Sequence, residues 1–163
     1  MLMALDGAAV VAGKTGQRRI PLDEFFVDYF ETALRPGEVL VSVDLPPLAA
    51  GTRATYKKFL PRTQDDYATV SVAAALRMSA DGRCEDVRIA LGSAATTPVR
   101  ARKVEAALRG NQLDAAGVED AAALVRDEVD PLDDLRGSAA YKREMARVWT
   151  KRALLQLLDS SNG

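Results

Sequence analysis

Residues 70–91 read VSVAAALRMSADGRCEDVRIAL, and this stretch decides the fold. Larger apolar side chains alternate with small or polar ones from Val70 to Met78, which is typical of a β-strand. Asp81 and Gly82 follow as residue types that a tight hairpin turn favours, and we expect both to take a positive φ. After the turn, three apolar side chains point the same way: Val87, Ile89 and Leu91. The stretch therefore predicts an antiparallel β-hairpin.

The chain before this hairpin also has strand patterns. Ala8–Ala12 and Gln17–Pro21 are predicted as two short strands joined by a turn at residues 13–16. Glu38–Leu45 follows a Pro-Gly break and is predicted as a half-buried strand, because four apolar residues alternate along it: Val39, Val41, Val43 and Leu45.

The proline-containing segment 46–51 is the best internal boundary. Thr52–Leu60 is predicted as the strand that follows it. Alternation along this strand puts two side chains on one face, Tyr56 and Lys58, and two on the other, Lys57 and Phe59.

After Pro98 the periodicity becomes helical. One helix is predicted over Arg102–Arg109 and ends at Gly110, a natural residue for that position. A second is predicted over Ala115–Glu128, with Asp114 as its N-cap.

A third helix is predicted to begin after Ser138, whose side chain can cap it. Its apolar face is predicted to contain Tyr141, Met145, Val148, Trp149 and Leu155. Because strands come first and helices afterwards, the fold class is α+β: antiparallel strands, then a three-helix C-terminal segment packed on the sheet.

The composition excludes several kinds of chemistry. The net charge of −1 gives no electrostatic case for a nucleic-acid partner or an anionic membrane. The chain has no histidine, so a Ser-His-Asp or Cys-His site cannot form within it, and Cys84 has no second cysteine to pair with. No apolar run approaches the ~18 residues of a membrane span, and the start lacks a signal-peptide pattern, so we expect a cytoplasmic location.

Five segments carry a family resemblance. Residues 25–38 read FFVDYFETALRPGE, residues 58–68 read KFLPRTQDDYA, and residues 130–143 read DPLDDLRGSAAYKR; shorter markers lie at residues 87–92 and 98–101. In this order they resemble the FAD-bearing medium subunit of the molybdenum hydroxylases, the carbon monoxide dehydrogenase and xanthine dehydrogenase group.

The resemblance implies a fold like the carbon monoxide dehydrogenase flavoprotein C-terminal domain. It divides the chain into residues 1–62, the C-terminal remnant of an FAD-binding domain, and residues 63–163, a flavoprotein C-terminal α+β domain. It implies FAD as the cofactor, with molybdopterin on a large partner subunit and iron–sulfur clusters on a small one. Electrons would pass from the clusters to FAD and then to an acceptor. No catalytic residue and no metal ligand is assigned to this chain.

The resemblance also implies the cofactor-binding residues. Lys58 approaches the FAD, where a cation stabilises negative charge on the reduced ring. Asp66 belongs to the loop beside the ring, and either Leu40 or Val41 packs on the cofactor. The residues alone give other interpretations: a solvated Lys58, and core packing for Leu40, Val41 and Tyr67.

Family members carry two glycine-rich loops upstream, whose backbone N–H groups cradle pyrophosphate. The glycines of this chain form neither motif. Two explanations remain open: the other half of the subunit is a separate N-terminal FAD-domain chain, or this chain is a fragment that does not bind FAD. The second function class is therefore a noncatalytic protein-interaction module that kept the fold and lost FAD.

The acidic segment before the third helix has a structural interpretation. Three aspartates are predicted to form a helix-entry turn in which Arg136 pairs with one of them, rather than a cation site: Asp130, Asp133 and Asp134. The basic face of the helix is predicted to be solvated or docked on a partner: Lys142, Arg143, Arg147 and Lys151.

Overall fold

The computed structural model describes residues 1–61 and 67–159 and confirms the α+β class. Its strands are β1 (Ala8–Gly13), β2 (Gly16–Pro21), β3 (Phe26–Asp28), β4 (Glu31–Thr32), β5 (Val39–Asp44), β6 (Arg53–Phe59), β7 (Val70–Met78), β8 (Cys84–Gly92) and β9 (Val99–Arg100). Its helices are α1 (Leu22–Phe25), α2 (Arg102–Leu108), α3 (Ala115–Ala123) and α4 (Ala139–Asp159), with 3-10 turns at Leu2–Leu5 and Leu124–Asp127.

The first sheet has the strand order β2-β1-β5, and both pairings are antiparallel. The register between β1 and β5 shifts in the middle of the strands. Val10 lies opposite Ser42, whereas the next residue, Val11, lies opposite Leu40. Val41 is therefore the extra residue of a β-bulge.

The second sheet has the order β6-β7-β8-β9 and is antiparallel throughout. The predicted hairpin is confirmed as β7 and β8, but its turn differs from the prediction. Gly82 has a φ of 80°, whereas Asp81 does not take a positive φ. The Ser79 N–H donates to the Arg83 carbonyl at 2.9 Å and the Gly82 N–H donates to the Ser79 carbonyl at 3.0 Å. This longer turn requires only one left-handed residue.

Both faces of the second sheet are covered. The helices pack on one face, against Val70, Val72, Ala74 and Leu76 of β7. The first sheet and the N-terminal segment pack on the other face, where Ala73 and Ala90 contribute to their hydrophobic cluster. The second sheet is thus the middle layer of the molecule.

The prediction that β5 is half-buried is wrong, because all six of its residues are exposed. Val39 is 62% exposed, Leu40 47%, Val41 54% and Val43 38%. The core-packing interpretation of Leu40 and Val41 is therefore wrong as well. The strand lies at the edge of its sheet, and the described residues leave these apolar side chains in contact with solvent.

The predicted capping residues are confirmed, but the second helix ends earlier than predicted, because α3 ends at Ala123 and a 3-10 turn follows it. Gly110 follows α2 with a φ of 81°. Asp114 caps α3 by accepting a hydrogen bond from the Gly117 N–H at 2.7 Å. Ser138 precedes α4, and its Oγ accepts a hydrogen bond from the N–H of Tyr141 at 3.2 Å.

The apolar face predicted for α4 is offset from the buried one. Tyr141 is 40% exposed, and the buried residues are Lys142, Ala146, Thr150, Ala153, Leu154 and Leu157. The small side chains of Ala146, Thr150 and Ala153 let the helix approach the alanine-rich strand β7 closely. Larger residues such as Met145 then pack at the sides of the contact.

Lys142 is buried within the chain, although the sequence predicted it on a basic face that is solvated or docked on a partner. Its side chain is 5% exposed, and Nζ donates to the Leu132 carbonyl at 2.7 Å and lies 2.8 Å from Asp134 Oδ1. The predicted aspartate turn is confirmed, since Arg136 Nη1 lies 3.6 Å from Asp134 Oδ2. The hydrogen bond from Lys142 lowers the pKa of Asp134 below its ordinary value.

Candidate functional site

An apolar cavity of about 310 Å³ lies between the two sheets, on the face of the second sheet that the helices do not cover. Leu40 and Val43 of β5 line one side, and Tyr56 of β6 lines another. Ser71 of β7 and Gly92 of β8 contribute small residues to the lining. A cavity with this lining suits an apolar or flat aromatic group.

The β-bulge decides which aliphatic candidate reaches this cavity. Leu40 and Val43 both line it although they are three residues apart, which strict strand alternation would forbid. The extra residue at Val41 breaks the alternation. Val41 itself does not line the cavity. Of the two residues that the resemblance proposed, the structure brings only Leu40 to this site.

Lys58, Ser71 and Gly92 lie side by side across three strands. Lys58 is the register partner of Ser71, and Ser71 is the register partner of Gly92, so the three share one face. A Cβ added at Gly92 would lie 2.7 Å from Ser71 Oγ. Ser71 Oγ therefore fills the space where a side chain at Gly92 would begin, and the surface beside Lys58 is formed by small groups.

The predicted division of β6 into two faces is confirmed. Tyr56 and Lys58 are exposed, whereas Lys57 and Phe59 are half-buried. Phe59 stacks on Trp149 of α4 with 5.1 Å between ring centroids, which anchors this end of β6 to the helical layer. Lys58 forms no hydrogen bond or ion pair within residues 1–61 and 67–159. Its ammonium group is thus available to a ligand.

The loop that the resemblance placed beside the ring is only partly described. Asp66 lies outside the described residues, so its proposed role stays a prediction. Tyr67 follows it and is 80% exposed, so the core-packing prediction for this residue is wrong. The guanidinium carbon of Arg136 lies 5.4 Å from the Tyr67 ring centroid, a cation–π arrangement.

A second, more polar cleft of about 600 Å³ opens beside Tyr67. The exposed aromatic residues Tyr29 and Phe30 line it together with Lys142. Thr69 also lines it, and its buried hydroxyl has no hydrogen-bond partner among the described residues. Sequence reasoning missed this cleft because its lining comes from segments that are far apart in the chain.

A network of charged residues joins the N-terminal segment to the second sheet. Asp6 lies 2.5 Å from Arg88 Nη1 and 3.2 Å from Arg100 Nη1. Arg100 also pairs with the buried Glu105, with 2.5 Å between Nε and Oε1. Glu105 accepts a further hydrogen bond from the Ile89 N–H at 2.8 Å. No local pattern marks Asp6, because Arg88 and Arg100 are 82 and 94 residues away from it in sequence.

The described residues contain no cluster of acidic or cysteine side chains that could hold a metal ion. Within the same ranges, no helix combines the length and the apolar character that a bilayer span requires. The longest helix, α4, has 21 residues, but charged side chains occur along it.

Two family models match this chain. Residues 1–48 match the FAD binding domain in molybdopterin dehydrogenase, and residues 54–157 match the CO dehydrogenase flavoprotein C-terminal domain. The second match covers more than half of the chain. The chain therefore belongs to the family of CO dehydrogenase flavoprotein C-terminal domains, as the resemblance predicted.

Curated relatives and solved structures agree with this assignment. The carbon monoxide dehydrogenase medium chain of Hydrogenophaga pseudoflava is 36% identical over 152 residues, which cover 93% of this chain and 52% of that one. The 6-hydroxypseudooxynicotine dehydrogenase complex subunit alpha of Paenarthrobacter nicotinovorans is 30% identical over 158 residues, 97% of this chain and 53% of the relative. This chain thus spans about half the length of the curated relatives that it matches.

The fold is also that of solved oxidoreductase subunits. Carbon monoxide dehydrogenase from Hydrogenophaga pseudoflava superposes with a TM-score of 0.89 at 39% identity, covering 94% of this chain and 53% of that chain. Quinoline 2-oxidoreductase from Pseudomonas putida 86 superposes with a TM-score of 0.86 at 30% identity. The match covers 98% of this chain and 54% of that chain. Since these relatives are named as parts of oxidoreductases, an interaction module without flavin is not favoured.

The residues present fit the flavin ring of FAD, the cofactor that the family implies. Ser71 and Gly92 line the apolar cavity with small groups, which leaves space in it for a planar ring. Lys58 places a cation beside this surface, and Leu40 lines the adjoining apolar cavity. Pyrophosphate binding is not assigned to this chain.

Proposed function

We propose that this chain forms one wall of the FAD site in the flavin subunit of a molybdenum hydroxylase. The observation that carries the proposal is the row formed by Lys58, Ser71 and Gly92, which places a cation available to a ligand beside the small residues that line the apolar cavity. Family membership supports the cofactor.

The residues of this wall have distinct roles in the proposal. Leu40 packs on the apolar part of the flavin ring, since it lines the cavity from the β5 side. Lys58 stabilises negative charge on the ring when it is reduced, which raises the reduction potential. FAD, when bound, accepts and passes on electrons. The protein residues hold the ring, exclude water from the apolar side and supply the positive charge.

The partners belong to the same proposal. We place the chain in an assembly with a large molybdopterin subunit, where substrate is oxidised, and a small subunit with iron–sulfur clusters that deliver electrons to FAD. The medium-chain names of the relatives support a multisubunit assembly. The division of the chain into residues 1–62 and 63–163 is part of the proposal, and the cytoplasmic location stays a prediction.

A fused subunit tests the proposal. The amino-terminal half of the Hydrogenophaga pseudoflava medium chain is joined to Met1 of this chain. We expect the purified fusion to show the visible absorption bands of bound flavin, with about one FAD per chain. A fusion that folds but binds no flavin when titrated with FAD would overturn the proposal.

Matched variants of the fusion test the geometry of the wall. Leu40→Ala should weaken FAD binding about tenfold, because it removes apolar contact area at the cavity. Val41→Ala is the control, since it removes a similar side chain one residue away that does not line the cavity. Equal FAD affinities for the two variants would remove Leu40 from the site.

A further inference from the structure

The segment 59–69, which follows Lys58, is fixed to the helical layer at its start. Phe59 stacks on Trp149 of α4 with 5.1 Å between ring centroids. The Thr69 N–H donates to the Phe59 carbonyl at 3.0 Å, so the two ends of the segment lie together. The start of the segment therefore takes its position from α4.

The Tyr67 ring, near the other end of the segment, needs a different anchor. It is 80% exposed, so core packing does not fix its position. The guanidinium carbon of Arg136 lies 5.4 Å from the ring centroid, and a guanidinium over an aromatic face attracts the ring. This attraction orients the ring only if the guanidinium is itself held in place.

Arg136 lies in a turn that two backbone hydrogen bonds close. The Asp134 N–H donates to the Gly137 carbonyl at 3.2 Å, and the Gly137 N–H donates to the Asp134 carbonyl at 3.1 Å. Asp134 Oδ1 accepts a hydrogen bond from the Arg136 N–H at 2.7 Å, and Asp134 Oδ2 lies 3.6 Å from Arg136 Nη1. One carboxylate therefore contacts both the backbone and the guanidinium of Arg136.

This carboxylate is held in turn by Lys142 of α4. The Lys142 side chain is 5% exposed, and its Nζ lies 2.8 Å from Asp134 Oδ1 and donates to the Leu132 carbonyl at 2.7 Å. A buried ammonium group is costly without a charged partner, so Lys142 and Asp134 constrain each other. We call the residues that connect the start of α4 to the exposed ring the contact chain: Lys142, Asp134, Arg136 and Tyr67.

The contact chain and the Phe59 anchor come from one face of α4, because Lys142 and Trp149 lie on the same side of this helix. All four members of the contact chain also line the polar cleft of about 600 Å³. The resemblance places this part of the chain beside the flavin ring. The helix therefore holds both ends of the segment that adjoins the proposed flavin wall.

We propose that Lys142 and Arg136 are positioning residues that hold the Tyr67 ring, and with it the end of segment 59–69, in the orientation that FAD binding requires. The inference rests on the proposed function and deepens it. Neither residue has to touch FAD, since Lys142 acts through Asp134 and Arg136, and Arg136 acts on Tyr67. Removal of Lys142 should loosen the ring while Lys58 stays in place.

Nuclear magnetic resonance of this chain alone tests the contact chain without flavin. We expect Overhauser cross-peaks between the Arg136 side chain and the Tyr67 ring, and we expect Lys142→Gln to remove them. Asp134→Asn is the second variant, because it removes the charge at unchanged size from a side chain that is 39% exposed. It should remove the cross-peaks as well. Cross-peaks that persist in both variants would overturn the inference.

Arg143→Gln is the matched control for this test. Arg143 is the next residue of α4, and it pairs with Asp130 of the same acidic segment, with 2.6 Å between Nη2 and Oδ1. The cross-peaks should remain in this variant. Their loss in Arg143→Gln would overturn the inference, because any cation at the start of α4 would then have the same effect.

Double variants of the fused subunit test the role in FAD binding. Lys142→Gln should weaken FAD binding about threefold, and Tyr67→Leu should weaken it at least as much. Because Lys142 acts through Tyr67, Lys142→Gln should cause no further loss in the Tyr67→Leu background. Tyr67→Phe keeps the ring and should keep both the affinity and its dependence on Lys142. Equal losses in both backgrounds would overturn the inference, since a lysine with only a structural role weakens binding whether or not the ring is present.

The two measurements separate this inference from the proposed function. Cross-peaks that depend on Lys142, together with a fusion that binds no flavin, would support the contact chain and overturn the proposed function. Bound flavin whose affinity does not depend on Lys142 would support the proposed function and overturn this inference.

Discussion

Asp6 and Arg100 form an ion pair although they are 94 residues apart, with 3.2 Å between Oδ1 and Nη1. Asp6 belongs to the N-terminal segment that packs with the first sheet, whereas Arg100 ends β9 of the second sheet. The pair therefore links the N-terminal segment to the second sheet.

Glu105→Gln is predicted to destabilise the fold strongly. The Glu105 side chain is 2% exposed and that of Arg100 is 8% exposed. Removing one charge of a buried pair leaves the other uncompensated, and the free energy of unfolding should fall by about 3 to 5 kcal/mol. Urea denaturation measures this change.

Arg102→Gln is the control for this prediction, because Arg102 is 60% exposed and lies 3.9 Å from Glu105. It should reduce the free energy of unfolding by less than about 1 kcal/mol. Similar losses of unfolding free energy from both variants would show that burial of the Arg100–Glu105 pair does not determine its contribution to stability.

Gly92→Ala is predicted to lower stability and FAD binding together. The added Cβ would lie 2.7 Å from Ser71 Oγ, and overpacking of this kind costs about 1 to 3 kcal/mol. Ser71→Ala removes the conflicting oxygen, so the double variant should recover most of the lost stability. Thermal unfolding of the single and double variants measures this. A double variant as unstable as Gly92→Ala would contradict the proposed steric cause.

The Glu38 carboxylate is predicted to make the start of β5 sensitive to acid. Hydrogen bonds from the Arg18 side chain and the Arg35 backbone lower the pKa of Glu38 from 4.5 to about 2. Its contribution to stability is complete above pH 4.5 and is lost as the pH falls toward 2. Glu38→Gln should therefore flatten the pH dependence of the free energy of unfolding in this range.

Glu24→Gln serves as the control for this titration, since Glu24 forms no ion pair with the residues that the structure describes. Residual acid sensitivity in Glu38→Gln is expected from Glu144, whose pKa Arg147 and Arg126 lower to about 2. If Glu38→Gln and Glu24→Gln follow the same pH curve, the Arg18–Glu38 contact does not stabilise the folded state.

Local patterns predicted most of the elements but not the side chains that face the core. The β7–β8 hairpin and the caps at Asp114 and Ser138 follow from alternation and capping chemistry, which act within a few residues. The buried face of α4 was missed because Ala146 and Thr150 allow close approach to β7, and small residues contribute little to an apolar pattern.

The candidate site was predicted in part. Lys58 was placed on the correct face of β6 by alternation alone. The choice between Leu40 and Val41 required the β-bulge, which depends on pairing with β1 and leaves no mark in the sequence of β5. The pairing of Ser71 with Gly92 depends on a contact between separate strands, so no local signal could identify it.

The flavin reduction potential of the fused subunit tests the central claim most directly. Lys58→Ala removes the cation beside Ser71 and Gly92 and should lower the potential by about 30 mV, the shift that corresponds to 1.4 kcal/mol for a two-electron couple. Lys57→Ala removes an equal charge one residue away on the opposite face of β6 and should leave the potential unchanged. Identical potentials for the unmodified fusion and both variants would contradict the assignment of Lys58 to the flavin wall.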